Sequence, residues 1–306
     1  MSDSKPRKPR DPRTGLRTSA TLATVLTLLG HTVLGFEQPA SMILVALVTG
    51  YSSAIFFEWL DARVNGRQPG YRGKGWKGVV DYLLSAHMTS ITMSFLIYTN
   101  SRMGVMAFAV AAAIASKYLF RVEVDGKLQH FMNPSNFGIA LAIVMFPWIA
   151  PIPYVFTEHV TGFVDVLVPA VIFLLGFRLN YLFTRRIPLI LSWLGAYVFQ
   201  AFARWILLDH RFEAAVASMT GAAFVLFSFY MITDPRTSPS SQKGQIAFGT
   251  SIGLVYGVLI AFQLTFTAFF AVTVVAGARG ALLYVSAWRR RRALVPHPAP
   301  LAVPES

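Results

Sequence analysis

The sequence predicts an all-α, polytopic membrane protein of about ten transmembrane helices, and three observations carry that prediction. Of the 306 residues 55% are hydrophobic and 13% charged, and mean hydropathy is +0.53, more apolar surface than a soluble core of this size can hide. Apolar stretches of about 20 residues, the length a helix needs to cross the hydrocarbon layer, recur from Thr18 to Tyr284. The basic residues, finally, gather at the ends of alternate stretches. With the N-terminus inside, ten spans put all 27 Lys and Arg on the cytoplasmic side except Arg102, Arg204 and Arg211, the asymmetry that orients membrane proteins. A shift by one span destroys this separation.

The expected spans are 18–35, 39–60, 79–98, 103–117, 134–150, 164–183, 187–206, 214–232, 246–262 and 264–284. They divide the chain into a disordered basic cytoplasmic N-terminus (1–17), a ten-helix transmembrane domain (18–288) and a basic, then Pro-rich, cytoplasmic tail (289–306). The first span follows a basic stretch without a small-residue cleavage site and reads as an uncleaved helix. The expected location is the cell membrane (inner or plasma), multi-pass, with both termini cytoplasmic. The net charge of +13 is topological and does not form a nucleic-acid face, so the bilayer is the expected partner. With no cysteine, disulfides, thiolate metal sites and cysteine nucleophiles are excluded within the chain. No connection is long enough for a nucleotide-binding βαβ unit of about 30 residues.

Between the second and third spans, ARVNGRQPGYRGKGWKG is a flexible basic loop. The third span carries Asp81, Ser85, His87 and Thr89; Asp81, Ser85 and Thr89 recur at helical spacing and share one face that avoids lipid. Interhelical hydrogen bonding and a proton or substrate path both fit that face. His87, without a second ligand at metal spacing, reads as a hydrogen-bonded core residue.

After the fourth span, Asp125-Gly126 has hairpin-turn chemistry between two short β-rich runs. Asn133-Pro134-Ser135-Asn136-Phe137-Gly138 then opens the fifth helix, with Asn133 as cap and Pro134 in the first turn. A helix opening there also suits an anionic group. Glu158, His159 and Asp165 in the outward loop are too loosely spaced for a metal site, and none is expected. Arg185 and Arg186, ending the sixth span, read as headgroup anchors.

The turn Thr233-Asp234-Pro235-Arg236-Thr237-Ser238-Pro239 sets many hydrogen-bonding groups against apolar helix ends. Asp234 is placed to accept from backbone N–H groups of the turn, and the two prolines stiffen the path. Lys243-Gly244 then leads into a helix carrying Gly249 and Gly253. The turn reads either as an ordinary membrane loop or as a ligand-facing one.

NPSNFG at a helix opening and FYMITDPRTSP followed by KG and FG together resemble the NqrB/RnfD family, the membrane subunits NqrB of the sodium-pumping NADH:quinone reductase and RnfD of the Rnf complex. The chain is also similar to UnbU-type proteins found with enediyne polyketide biosynthesis genes, through NPSNFGI, FPW, FTEH, FTRR, FVLF and GARG. The resemblance implies an NqrB/RnfD-like fold of two related halves and a history of flavin-dependent electron transfer. It leaves out one motif: the redox subunits attach FMN to a threonine in Ser/Thr-Gly-Ala-Thr, and the nearest strings here, around Thr161-Gly162 and Thr220-Gly221, lack the acceptor threonine. Covalent FMN is therefore not expected, whereas non-covalent FMN or riboflavin is. The residues proposed to hold it are Asn133, Pro134, Ser135, Gly138, Thr233, Asp234, Pro235, Ser238, Lys243 and Gly249.

The sequence thus supports an accessory protein of enediyne (antitumour antibiotic) biosynthesis that passes electrons through a flavin or quinone, with other biosynthetic proteins or a redox donor as partners. A transporter or channel for an intermediate or product, and a membrane scaffold for biosynthetic enzymes, are the competing readings. No catalytic residue is identified, and whether the chain is itself an enzyme stays open.

Overall fold

A computed structural model describes residues 12–36, 38–124, 126–151, 161–220 and 222–293. Helix α1 (Pro12–Thr32) is followed by α2 (Ala40–Val64), α3 (Gly75–Leu96) and α4 (Met103–Leu119). A hairpin of β2 (Arg121–Val124) and β3 (Lys127–His130) precedes α5 (Pro134–Met145), and β1 (Ile97–Tyr98) pairs with β4 (Ala150–Pro151). Helix α6 (Phe163–Leu179) ends in a π turn at Asn180–Thr184, and α7 (Ile187–Leu208) follows. Short α8 (Phe212–Ala217) and α9 (Ala222–Leu226) lead into a second π turn at Phe227–Met231; α10 (Gln242–Ala261) and α11 (Thr267–Ala293) complete the order.

The protein is a polytopic all-α membrane protein. Among the described residues, five segments are long and apolar enough to cross a bilayer: 40–64, 166–184, 187–208, 242–261 and 267–290. Helix α3 is long but carries the polar face, while α4 and α5 are apolar and shorter. Each expected span meets helical structure, with three differences. Helix α1 begins at Pro12, so residues 12–17 are helical rather than disordered. The basic run from Arg289 continues α11 to Ala293. The stretch 214–232 is broken into α, 3-10, α and π pieces, because hydropathy reports burial and not hydrogen-bond register.

Two helix pairs bring the candidate segments inward. Helix α10 lies along α7, and its glycines make that approach close: a Cβ on Gly249 would stand 2.5 Å from the Leu189 carbonyl oxygen. Helix α5 lies against α4 in the same way, a Cβ on Gly138 falling 2.7 Å from the Ala109 carbonyl oxygen. In a membrane, where burial against lipid gives helices little reason to associate, such backbone approach supplies the packing energy. Trp193, fully buried, centres the α7 side of the core and donates to Ser228 Oγ at 2.9 Å.

The expected hairpin is present, with Val124 opposite Lys127 across a two-residue turn and Gly126 at φ 73°. Asp125 lies outside the described residues, as do Glu158 and His159 of the outward loop.

Candidate functional site

Helix α5 opens as its sequence dictates. The Asn133 side chain accepts from Asn136 N at 3.1 Å, and Pro134 occupies the first turn, where no N–H is needed. Ser135 Oγ donates to the same Asn133 oxygen at 3.0 Å. The Asn133 amide nitrogen points the other way and donates to the Met231 carbonyl at 2.9 Å, so this opening is fastened to the π turn that precedes Thr233.

The π turns explain why amides collect here. Widening a helix from i→i+4 to i→i+5 frees carbonyls, and within a bilayer no water satisfies them. Asn180, fully buried, donates to Gly176 O at 2.9 Å and to Phe229 O at 2.7 Å, joining the two π turns. Thr233 Oγ donates to the same Phe229 carbonyl at 2.7 Å. Asn136 donates to Phe269 O at 2.9 Å and Thr273 Oγ at 2.8 Å.

The turn itself is built as its residues predict. Asp234 Oδ1 accepts from Arg236 N at 3.1 Å, and its carbonyl accepts from Ser238 N at 3.0 Å and Ser238 Oγ at 2.7 Å. Pro235 is exposed; its carbonyl accepts from Arg186 at 3.2 Å, and Arg279 reaches the Thr237 carbonyl at 3.0 Å. Arg186 is only 5% exposed, so it is a buried brace of the turn; the expected headgroup anchor is its exposed neighbour Arg185. Burial pushes the Arg186 guanidinium below its usual pKa and the Asp234 charge opposes that, but an arginine stays protonated throughout.

Beside the turn, a cavity of about 420 Å³ is lined by residues of α2, α3, α4 and the hairpin, with Arg236 from the turn. Asp81 and Ser85 of the polar face line it, as expected of a face that avoids lipid. Asp81 is clamped at the mouth by Arg17, with Nη2 at 2.6 Å. Deeper in, Lys117 donates to Ser85 O at 3.2 Å, Ser85 Oγ at 3.1 Å and Thr89 Oγ at 3.1 Å. No carboxylate lies within ion-pair distance of Lys117 among the described residues. Glu58 and Asp61 are taken up by Arg67 and Arg121, and those hydrogen bonds, first to Glu58 and then to Asp61, raise the pKa of Arg67.

His130, at the end of β3, also lines the cavity. Burial lowers its pKa to about 4; the nearby charges of Lys117, Arg236 and Arg121 act in the same direction, and Asp234 opposes them. It is neutral at physiological pH. His87 lies apart from the cavity, bonded to Tyr51 OH at 2.6 Å and Thr24 Oγ at 2.8 Å, and fastens α1, α2 and α3 together.

The structure therefore places Asp81 and Ser85 on the cavity wall and Ser85 and Thr89 against Lys117. It places Asn133, Pro134, Ser135, Thr233, Asp234 and Ser238 in the adjoining seam. Gly138 and Gly249 sit at helix crossings, and Lys243 is exposed in the first turn of α10. Sequence reasoning passes over His130, Asn180 and Gln245, reads Lys117 as a topology charge and takes Arg186 for a headgroup anchor. An asparagine at the end of an apolar span, five residues before an arginine pair, is the available signal at Asn180.

Two acceptors in this region lack a donor among the described residues: Asn136 Oδ1 in the first turn of α5 and Gln245 Oε1 in the first turn of α10. Buried oxygens left in this state are costly. Both belong to the helices that the two sequence motifs open, and both suit a ligand that presents N–H groups, as an isoalloxazine ring does.

Comparison with known proteins bears on the same segment. The NQR2, RnfD, RnfE family matches residues 152–276, which include both π turns and the Thr233–Ser238 turn. This segment is similar to the proteins of that family. The D subunit of the ion-translocating oxidoreductase complex of Pectobacterium atrosepticum is 30% identical over 86 residues, 26% of this chain and 24% of that protein. Its counterpart in Pectobacterium carotovorum subsp. carotovorum is 29% identical over the same length. The chain thus aligns with about a quarter of these NqrB/RnfD-like relatives.

Proposed function

We propose that this protein is a membrane subunit of a redox assembly that holds a non-covalent flavin, FMN or riboflavin, or a quinone, and passes electrons to a tailoring step of enediyne biosynthesis. The observation that carries the redox part is the pair of unsatisfied acceptors, Asn136 Oδ1 and Gln245 Oε1, on the helices opened by the two family-like motifs. A flavin supplies one- and two-electron chemistry when bound. The chain's own residues would accept its ring N–H, keep water out through the Trp193 and Phe227 packing, and fix the turn through Asp234. Thr233 and Ser238 have already given their hydroxyl protons to carbonyls and would act only as acceptors. The enediyne setting rests on the motif resemblance alone. Membership of a multi-subunit complex is supported by the named relatives, and cytoplasmic termini by the charge asymmetry.

Gln245→Met separates the ligand reading from a structural one. If Gln245 Oε1 serves a flavin, the variant purifies in normal yield with less flavin per mole. If it is merely unsatisfied, the variant keeps its flavin content and gains stability. Asp234→Ala should likewise release cofactor while membrane insertion persists; a lower yield with unchanged absorbance would make Asp234 a structural turn residue only.

A second reading has its own observation. Lys117, held by Ser85 and Thr89 beside a cavity that charged side chains line, suits a path for a proton or an anionic solute. Transport of an intermediate is the function that would use it.

A further inference from the structure

Arg186, before α7, and Arg279, in α11, both reach the turn. Arg186 Nη2 donates to Pro235 O and Arg279 Nη1 to Thr237 O, two carbonyls no more than about 7 Å apart along the backbone. The Arg186 charge acts on Arg279, and the Asp234 carboxylate acts on Arg186. Neither arginine makes an ion pair among the described residues. Arg186 is 95% buried as the complement of its 5% exposure, yet its Nε has no partner there. Two like charges brought together with unused donors are costly without a counter-charge, and Asp234 has turned one oxygen into its own turn.

Planar forks with several unspent N–H groups match the tetrahedral oxygens of phosphate better than a carboxylate would, since phosphate offers acceptors to both forks at once. We propose that Arg186 and Arg279 form a binding site for a phosphate group beside the Asp234–Ser238 turn. This site is independent of whether a flavin ring is bound. The phosphate arrives on a lipid headgroup or on a soluble phosphate ester; the chemistry recognised is the same.

The experiment is native mass spectrometry of delipidated protein titrated separately with phosphatidylglycerol and with inorganic phosphate, phosphatidylcholine serving as the lipid reference. Wild type should bind one of the two anionic probes. Arg186→Gln and Arg279→Gln should each weaken that binding at least about tenfold, the equivalent of one charge-assisted hydrogen bond, while Arg185→Gln does not. Binding of inorganic phosphate identifies a soluble ester as the source, and selective binding of phosphatidylglycerol identifies a headgroup. Should Arg186→Gln fail to fold, Arg186→Lys keeps the charge, loses the fork and should show the same loss. Failure of wild type to bind either probe, or undiminished binding by the variants, overturns the proposal.

Discussion

The Asn133 side-chain amide donates to the Met231 carbonyl at 2.9 Å across 98 positions of sequence. One bond thus joins the helix opening that the sequence marks in the first half to the broken helix that leads into the turn of the second. The same side chain caps α5, so a single residue sets both the local start of a helix and its long-range attachment.

That double role can be dissected. Asn133→Ser keeps an oxygen for the cap and loses the donor to Met231, a cost of about 1 kcal/mol. Asn133→Ala loses both, and thermal unfolding in detergent should show about 2 kcal/mol of destabilisation. Equal effects of the two substitutions would mean that the cross-chain bond contributes nothing.

Gly249 should tolerate no larger residue. Its Cβ would meet the Leu189 carbonyl, backbone that cannot swing aside, so Gly249→Val should cost at least about 2 kcal/mol. A Cβ at Gly104 meets nothing within 4 Å, and Gly104→Ala should change the same melting curve by less than about 0.5 kcal/mol.

The Lys117 pocket gives an asymmetric prediction. Removing its two hydroxyl acceptors with the pair Ser85→Ala and Thr89→Val leaves the Lys117 ammonium only the Ser85 carbonyl and should lower stability by about 1–3 kcal/mol. Lys117→Met removes the cation itself and should be close to neutral. A Lys117→Met protein that melts normally yet has lost transport or electron transfer would place Lys117 in function.

Stability should fall on acidification within a defined window. The native state keeps His130 neutral down to about pH 4, whereas the unfolded chain binds a proton near 6.5. Between those values the unfolded state holds the extra proton, so stability is full above about pH 6.5 and is lost progressively towards pH 4. His130→Gln should flatten melting temperature against pH in that interval; an unchanged slope would assign it to another group.

How much of this could be read in the sequence depended on the range of the interaction. The Asn133 cap, Pro134 and the hairpin around Gly126 are local, and composition marks them. The polar face of α3 followed from helical spacing. What it faces did not: Lys117 looks like a topology charge until α4 turns it onto Ser85 and Thr89. The breaks within the eighth expected span were hidden for a similar reason. Residues 214–232 are largely apolar, and the groups that compensate the carbonyls freed by the break, Asn180 and Thr233 on Phe229 and Asn133 on Met231, come from outside the stretch. Arg186 differs from Arg185 in nothing a sequence shows, yet the left-handed backbone at Arg185 sends one side chain outward and the next under the turn.

The most direct test of the redox claim is a visible spectrum of detergent-purified protein, followed by acid extraction and chromatography for flavins. The account predicts flavin absorbance with stoichiometric FMN or riboflavin in the acid supernatant and none left on the chain. A colourless protein after flavin-supplemented expression, with no quinone in an organic extract, would contradict it and leave the Lys117 cavity as the place to look for function.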